Sequence, residues 1–347
     1  MRHAAAIDSA RRIAERLVAE RNIPGLSVAV AVNGEVVWRE GFGWADVENR
    51  VPVTPNTRFR IASISKPVTA VAVGLLVEQG RLDVDAPVQR YVPGFPQKPW
   101  PVTTRHLAGH LAGIRHYNGD EFRSAVSYPT VTSALTVFND DSLLHQPGTR
   151  YAYSSYGWNL ISAVVEGAAQ EGFLRYMREK VFAPLGMNAT IAEHPDSIIP
   201  HRARFYERGR DGVLLNAPYV DNSVKWAGGG FLSTAEDLVR FGSAHMQPGF
   251  LSAETLRLLH TSQRTSAGRE TGYGIGWSVG RDSLGRRTIG HSGGAMGGST
   301  YLLVLPEQRV VVALLANTSG AGTSARVAGQ IAAPFIEPAG STAQRPR

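Results

Sequence analysis

The sequence predicts an α+β fold. It reads as an α/β sandwich whose central antiparallel sheet is built from both termini, with a mostly helical insertion between them. Three observations predict it. Two β-rich runs, 26–32 and 35–38, flank Asn33-Gly34, and Asn-Gly in that setting is the strongest short-range hairpin signal, because both central residues of a type I′ turn need φ > 0. Near the other end, 301–305 and 310–315 are apolar runs joined across Pro306-Glu307-Gln308-Arg309. Between these hairpins, about 66–260 is mostly helical pattern broken by loops, without the strand–helix alternation of a parallel sheet.

Taken in order, residues 8–22 place Ile13, Leu17 and Val18 at helical spacing among charges, which predicts a surface helix. The first hairpin follows. A helix is expected over 67–79, with Pro67 suited to its first turn and Gly80 to its stop. After the insertion comes the second hairpin, then a helix at about 324–335. The resulting division is an α/β domain from 1–65 and 260–337, a mostly helical domain over 66–259, and a flexible tail at 338–347. There is no internal repeat and no low-complexity segment.

Composition excludes several functions. With 43% hydrophobic and 19% charged residues in 347, the chain has ample core material and is not globally disordered. No apolar run approaches the roughly 20 residues of a membrane span. Cysteine is absent, which removes disulfides, cysteine nucleophiles and thiolate metal sites. The net charge of +7 raises the question of nucleic acid, but 32 of the 36 basic residues are arginines, scattered without a basic block or a nucleic-acid motif. Nucleic-acid binding is therefore not expected. The start, Met1-Arg2-His3-Ala4, has no signal-peptide h-region. The compartment stays open: cytoplasmic if Met1 is the native start, periplasmic or secreted if a leader was removed.

Three short motifs carry chemistry. In Ser63-Ile64-Ser65-Lys66, residues three apart at a helix start share a face, so the serine hydroxyl and lysine amine can meet. The helix N-terminus offers free N–H groups for a developing oxyanion, and a lysine made neutral by burial can take the serine proton. Alone, the motif also fits an N-cap serine beside a surface lysine. In Tyr153-Ser154-Ser155 a phenol near an ammonium can ionise partly and pass protons, although a lone loop tyrosine more often simply packs. His291-Ser292-Gly293-Gly294 leads into a strand whose edge could hold a substrate by main-chain pairing, with the glycines allowing close approach.

In this order and at these intervals the motifs resemble those of serine β-lactamases and penicillin-binding proteins: Ser-x-x-Lys, then Tyr-x-Ser/Asn some ninety residues on, then Lys/His-x-Gly near the C-terminal strands. The sequence is similar to the class C β-lactamase-like branch, with its D-Ala-D-Ala carboxypeptidases and family VIII esterases, and within it to the mitochondrial serine β-lactamase-like proteins and their bacterial relatives. Arg60-Ile61-Ala62-Ser63-Ile64-Ser65-Lys66, Gly113-Ile114-Arg115-His116-Tyr117, Lys225-Trp226-Ala227-Gly228-Gly229-Gly230-Phe231-Leu232-Ser233-Thr234 and Gly272-Tyr273-Gly274-Ile275-Gly276-Trp277 carry the likeness, over roughly 22–335.

The resemblance implies a serine β-lactamase/transpeptidase-like fold and a serine hydrolase working through a covalent acyl-enzyme, without metal or organic cofactor. Ser63 would be acylated, Lys66 would accept its proton, and Tyr153 would be the second general acid/base. The N–H groups of Ser63 and Gly294 would form the oxyanion hole beside Gly293. His291 would replace the lysine of the Lys-Thr-Gly motif and contact the substrate carboxylate or the tyrosine. Ser155 stands where β-lactamases usually place asparagine. These two departures imply ester, amide or peptide substrates and weak β-lactam hydrolysis at most. The alternatives are a non-catalytic penicillin-binding sensor or self-assembling scaffold, and a true β-lactamase. Homo-oligomerisation is left open.

Other readings are weaker. Gly290-His291-Ser292-Gly293-Gly294 fits the α/β-hydrolase elbow, but that fold needs a histidine after the serine and none follows His291. His106, His110 and His116 lack the His-Glu-x-x-His pattern of a zinc site. Lys225 is balanced between the cleft and a surface loop. Trp226, Trp277 and Tyr117 are candidates for an acyl pocket, with core packing the plainer reading. The glycine-rich stretches lack the Lys-Ser/Thr of a phosphate cradle.

Overall fold

A computed structural model describes residues 3–336; the predicted tail at 338–347 lies outside them. The chain opens with α1 (Ala4–Arg21), β1 (Gly25–Val32), β2 (Glu35–Asp46), β3 (Val51–Pro52) and β4 (Phe59–Arg60). The middle holds α2 (Ser65–Glu78), α3 (Thr104–Ala108), α4 (Ser155–Ala169), α5 (Phe173–Tyr176), β5 (Ile191–Ala192), β6 (Tyr206–Arg208), β7 (Leu214–Asn216), α6 (Trp226–Gly229) and β8 (Phe231–Ser233). Then come α7 (Ala235–Ser243), α8 (Ala253–His260), β9 (Ser278–Arg281), β10 (Arg287–Ala295), β11 (Gly298–Leu305), β12 (Val310–Ala316) and α9 (Ala325–Ala332).

Asn33 and Gly34 take φ of 55° and 90°, so the predicted turn closes the β1–β2 hairpin. The second hairpin joins β11 and β12, and β1 lies against β12 with Leu26 opposite Ala316. Seven antiparallel strands result, in the order β3-β2-β1-β12-β11-β10-β9. Every residue of β1 and β12 is buried, because helices cover both sheet faces. Strand periodicity divides the layers. Val28, Val30, Val312 and Leu314 meet α1 and α9, whereas Ala29, Ala31, Val311 and Leu315 meet the larger core with α2 and α7.

Helix α2 begins at Ser65, two residues before the expected start, and residues 65–74 are all buried. It is an interior helix, apolar on every side. The insertion is less helical than expected. Between α3 and α4 the chain makes only short 3₁₀ turns, since Gly109, Gly113, Gly119, Pro129, Pro147 and Gly148 repeatedly interrupt helical propagation. Two features position the site. Strand β4 pairs with β8 and delivers the chain into the turn before α2. Strand β9 pairs with β10 only along 287–290, leaving the edge at 291–295 without a β9 partner.

Candidate active site

The free edge of β10, the start of α2 and the segments around residues 117, 153 and 225 enclose a cleft of about 1060 Å³. Ser63, Tyr153, Ser155, His291, Gly293 and Gly294 line it. Lys66 lies beneath its floor, with no exposed surface.

Ser63 is the middle residue of a 3₁₀ turn, Ala62–Ile64, that runs straight into α2. Ala62 has φ 49°, a left-handed conformation costing a non-glycine residue about 1–3 kcal/mol. The neighbours that hold it there raise the serine at the helix entrance. Lys66 Nζ lies 2.9 Å from Ser63 Oγ, 3.2 Å from Ser155 Oγ and 2.7 Å from the Gly228 carbonyl oxygen. Burial without any carboxylate partner holds its pKa well below the ordinary lysine value. A neutral amine has two N–H donors and one lone pair. In the neutral form the donors satisfy Gly228 and Ser155, and the lone pair is left for the Ser63 hydroxyl.

The Tyr153 hydroxyl donates to Ser63 Oγ over 2.9 Å. Burial pushes this phenol up to about 12, against the hydrogen bonds with Ser63 and Ser155 that pull it down. The partial ionisation expected from a neighbouring ammonium is therefore not favoured: Tyr153 rests protonated, because burial disfavours the phenolate. The serine oxygen thus has an acceptor on one side and a donor on the other.

Sequence reasoning missed the supports of this group. His110 packs on Tyr153 with ring centroids 4.2 Å apart, and its Nδ1 accepts from the Ser154 N–H at 3.1 Å. His116 Nδ1 accepts from the Ser155 N–H at 3.1 Å. Two of the three histidines weighed as metal ligands thus fix the tyrosine loop. Ser154 caps α4 by accepting from Gly157 N–H at 2.9 Å and donates to the Arg115 carbonyl at 2.7 Å.

His291 stands at the cleft but not in the expected role. Its Nδ1 lies 2.6 Å from the Ser292 carbonyl oxygen and its Nε2 lies 2.7 Å from the Tyr273 hydroxyl. A carbonyl only accepts, so Nδ1 carries the proton and Nε2 accepts from Tyr273. Burial and the neighbouring lysine push the ring down to about 3, so it is neutral. Its hydrogen bond goes to Tyr273, while the Tyr153 ring lies 6.5 Å away between centroids, and in this tautomer His291 has no free donor for a substrate carboxylate.

The two glycines differ. A Cβ on Gly293 would lie 2.2 Å from Thr300 Oγ1 and 2.5 Å from the Ile61 carbonyl oxygen, so only glycine lets β10 lie this close to the serine turn. A Cβ on Gly294 meets nothing within 4 Å and would enter the open cleft. Of the candidate pocket aromatics, Tyr117 lines the cleft. Trp226 packs with His194 and Trp277 stacks on Phe241, both buried away from it. Lys225 lines the cleft while 4% exposed, and burial pulls it down to about 8.

The β-lactamase family model matches residues 10–334. The human mitochondrial serine beta-lactamase-like protein LACTB is 36% identical, over 88% of this chain and 73% of its own length. Penicillin-binding protein 4* of Bacillus subtilis is 29% identical, over 84% and 67%. Among solved structures, the octameric penicillin-binding protein homologue from Pyrococcus abyssi superposes with a TM-score of 0.81 at 28% identity, over 94% of this chain and 76% of that one.

Proposed function

This chain belongs to the β-lactamase family of serine hydrolases, and from that premise we propose that it hydrolyses esters or peptides through a covalent acyl-enzyme on Ser63. The observation that carries the reading is the convergence of Lys66 Nζ and Tyr153 OH on one serine oxygen, each at 2.9 Å.

Lys66 takes the proton from Ser63 as Oγ bonds to the substrate's carbonyl carbon. The N–H groups of Ser63 and Gly294 receive the oxyanion as its charge develops. As the bond to the leaving group breaks, Tyr153 gives its proton to the departing atom and is re-protonated from Lys66. Water then enters by the reverse relay and releases the acid. Lys66 and Tyr153 act as a pair, since each touches the same oxygen. A neutral His291 leaves a β-lactam carboxylate without the permanent cation that the Lys-Thr-Gly lysine supplies. Ser155 is engaged with Lys66 and shorter than the usual asparagine. Both features favour esters and peptides over β-lactams.

The test is a panel of p-nitrophenyl butyrate, D-Ala-D-Ala peptides and nitrocefin, with intact mass after fluorophosphonate treatment. We expect ester or peptide turnover, a single adduct, and loss of both in Ser63→Ala, where nucleophile removal in a serine enzyme costs about a millionfold. Turnover that survives in Ser63→Ala refutes the reading. Fast nitrocefin hydrolysis assigns a β-lactamase instead, and a stable β-lactam adduct without turnover assigns a sensor.

A further inference from the structure

Lys225 makes no salt bridge among the described residues, although Glu193 and Asp221 lie near enough to attract it. It is 4% exposed, and among the described residues its Nζ has one hydrogen-bond partner, the Phe122 carbonyl at 2.7 Å, although a lysine carries three donors. Neither nearby carboxylate bonds to it. Glu193 takes the Arg60 guanidinium at 2.8 Å and the Asn222 amide at 2.6 Å, and Asp221 accepts from the Ser223 N–H at 2.8 Å. Burying an unpaired charge is costly, and natural proteins usually pair it. This one lines the catalytic cleft.

Its place indicates which part of a substrate it would meet. Arg60 Nη1 donates to the Met296 carbonyl at 2.6 Å, which sets the Arg60–Glu193 cluster at the Met296 end of the free β10 edge. Asn222, three residues before Lys225, donates to Glu193, so Lys225 belongs to that end. The opposite end begins at His291 and Tyr273, and Tyr273 packs on His110, the ring that supports the proton-donating Tyr153. On the acyl-enzyme reading the leaving group departs beside Tyr153, which leaves the acyl chain the other end, past Tyr117 and Phe122, whose rings lie 5.7 and 5.0 Å from Lys225 Nζ. Exposed Arg123 lines the same end and adds positive potential.

We propose that Lys225 binds a carboxylate on the acyl portion of the substrate, so that the protein selects esters or amides of dicarboxylic acids, or peptides with an acidic side chain before the scissile bond. The inference rests on the acyl-enzyme reading, and it moves the anion contact from His291 to the other end of the cleft.

Three p-nitrophenyl esters test it at about pH 7, where Lys225 is charged: the butyrate, the monoglutarate, and the glutaramate in which a carboxamide replaces the carboxylate. In wild-type protein kcat/KM for the glutarate ester should exceed that for the glutaramate by roughly ten- to hundredfold, the size of a charge-assisted contact in a dry site. Lys225→Met should reduce the glutarate-to-glutaramate ratio to near one, and Lys225→Gln serves if the methionine variant does not fold. A wild-type ratio within threefold of one overturns the proposal, as does a ratio that persists in the variant. Failure of the underlying reading looks different: none of the esters turns over and no fluorophosphonate adduct forms. The proposal is then judged by calorimetry of glutarate monoamide, which must bind wild-type protein and not Lys225→Met.

Discussion

Replacing Gly293 by alanine tests whether the spacing between β10 and the serine turn matters to reactivity. The new methyl would sit 2.5 Å from the Ile61 carbonyl oxygen and 3.1 Å from Ala62 Cβ, where ordinary contact begins near 3.4 Å. Thr300 Oγ1, 2.2 Å away, cannot simply swing aside, because it donates to that same carbonyl at 3.1 Å. Relief therefore requires a backbone shift of roughly 1 Å, two residues from Ser63, and a misplacement of that size costs about a hundredfold in rate. Overpacking should also remove about 1–3 kcal/mol of stability. The assay is the second-order rate of fluorophosphonate labelling, measured beside urea unfolding. Gly294→Ala is the control for stability, since its Cβ meets nothing. Labelling of Gly293→Ala at the wild-type rate, with stability unchanged, would refute the reasoning.

Tyr153→Phe should lower kcat by about 10²–10⁴, the share usual for a general acid–base group, while urea unfolding shows the variant folded; an undiminished kcat removes Tyr153 from the proton relay. Acid should destabilise the fold. Burial pushes His260 and His291 down to about 3, so between pH 3 and the unfolded value of about 6.5 the unfolded chain binds the extra protons. Stability present above 6.5 is lost as pH falls, by about 2 kcal/mol for each histidine at pH 5; equal urea midpoints at pH 7 and 5 would contradict this. Arg60→Met leaves Glu193 buried without its guanidinium and should cost about 3–5 kcal/mol, and adding Glu193→Leu should restore most of it. If the double variant is no more stable than the single one, the unpaired carboxylate is not the source of the loss.

What could be read from the sequence was local. The Asn33-Gly34 turn, the apolar runs of β11 and β12, and the Ser63–Lys66 spacing each depend on near neighbours along the chain. Strand β9, four residues long at the sheet edge, gave no such signal. The path between α3 and α4 lies within the stretch expected to be mostly helical, and there the glycines and prolines outweigh the apolar spacing. At the site, His110 and His116 went unread because they serve backbone N–H groups 44 and 39 residues away. For His291 the sequence offers the substrate carboxylate or Tyr153, and not its hydrogen-bond partner Tyr273, which lies 18 residues upstream with no motif joining them. Tyr273 itself stood within a matched string without a role.

The pairing of β1 with β12 also bears on how the protein is made. These central strands lie almost three hundred positions apart, and α1 packs on α9. A nascent chain leaving the ribosome carries β1 to β3 as a small isolated sheet, without the strand β1 needs on its other edge, until β12 has emerged. Closing so distant a contact is slow. The amino-terminal strands must wait with unsatisfied edges, and a chain cut short before residue 310 lacks the strand that joins the two halves of its sheet.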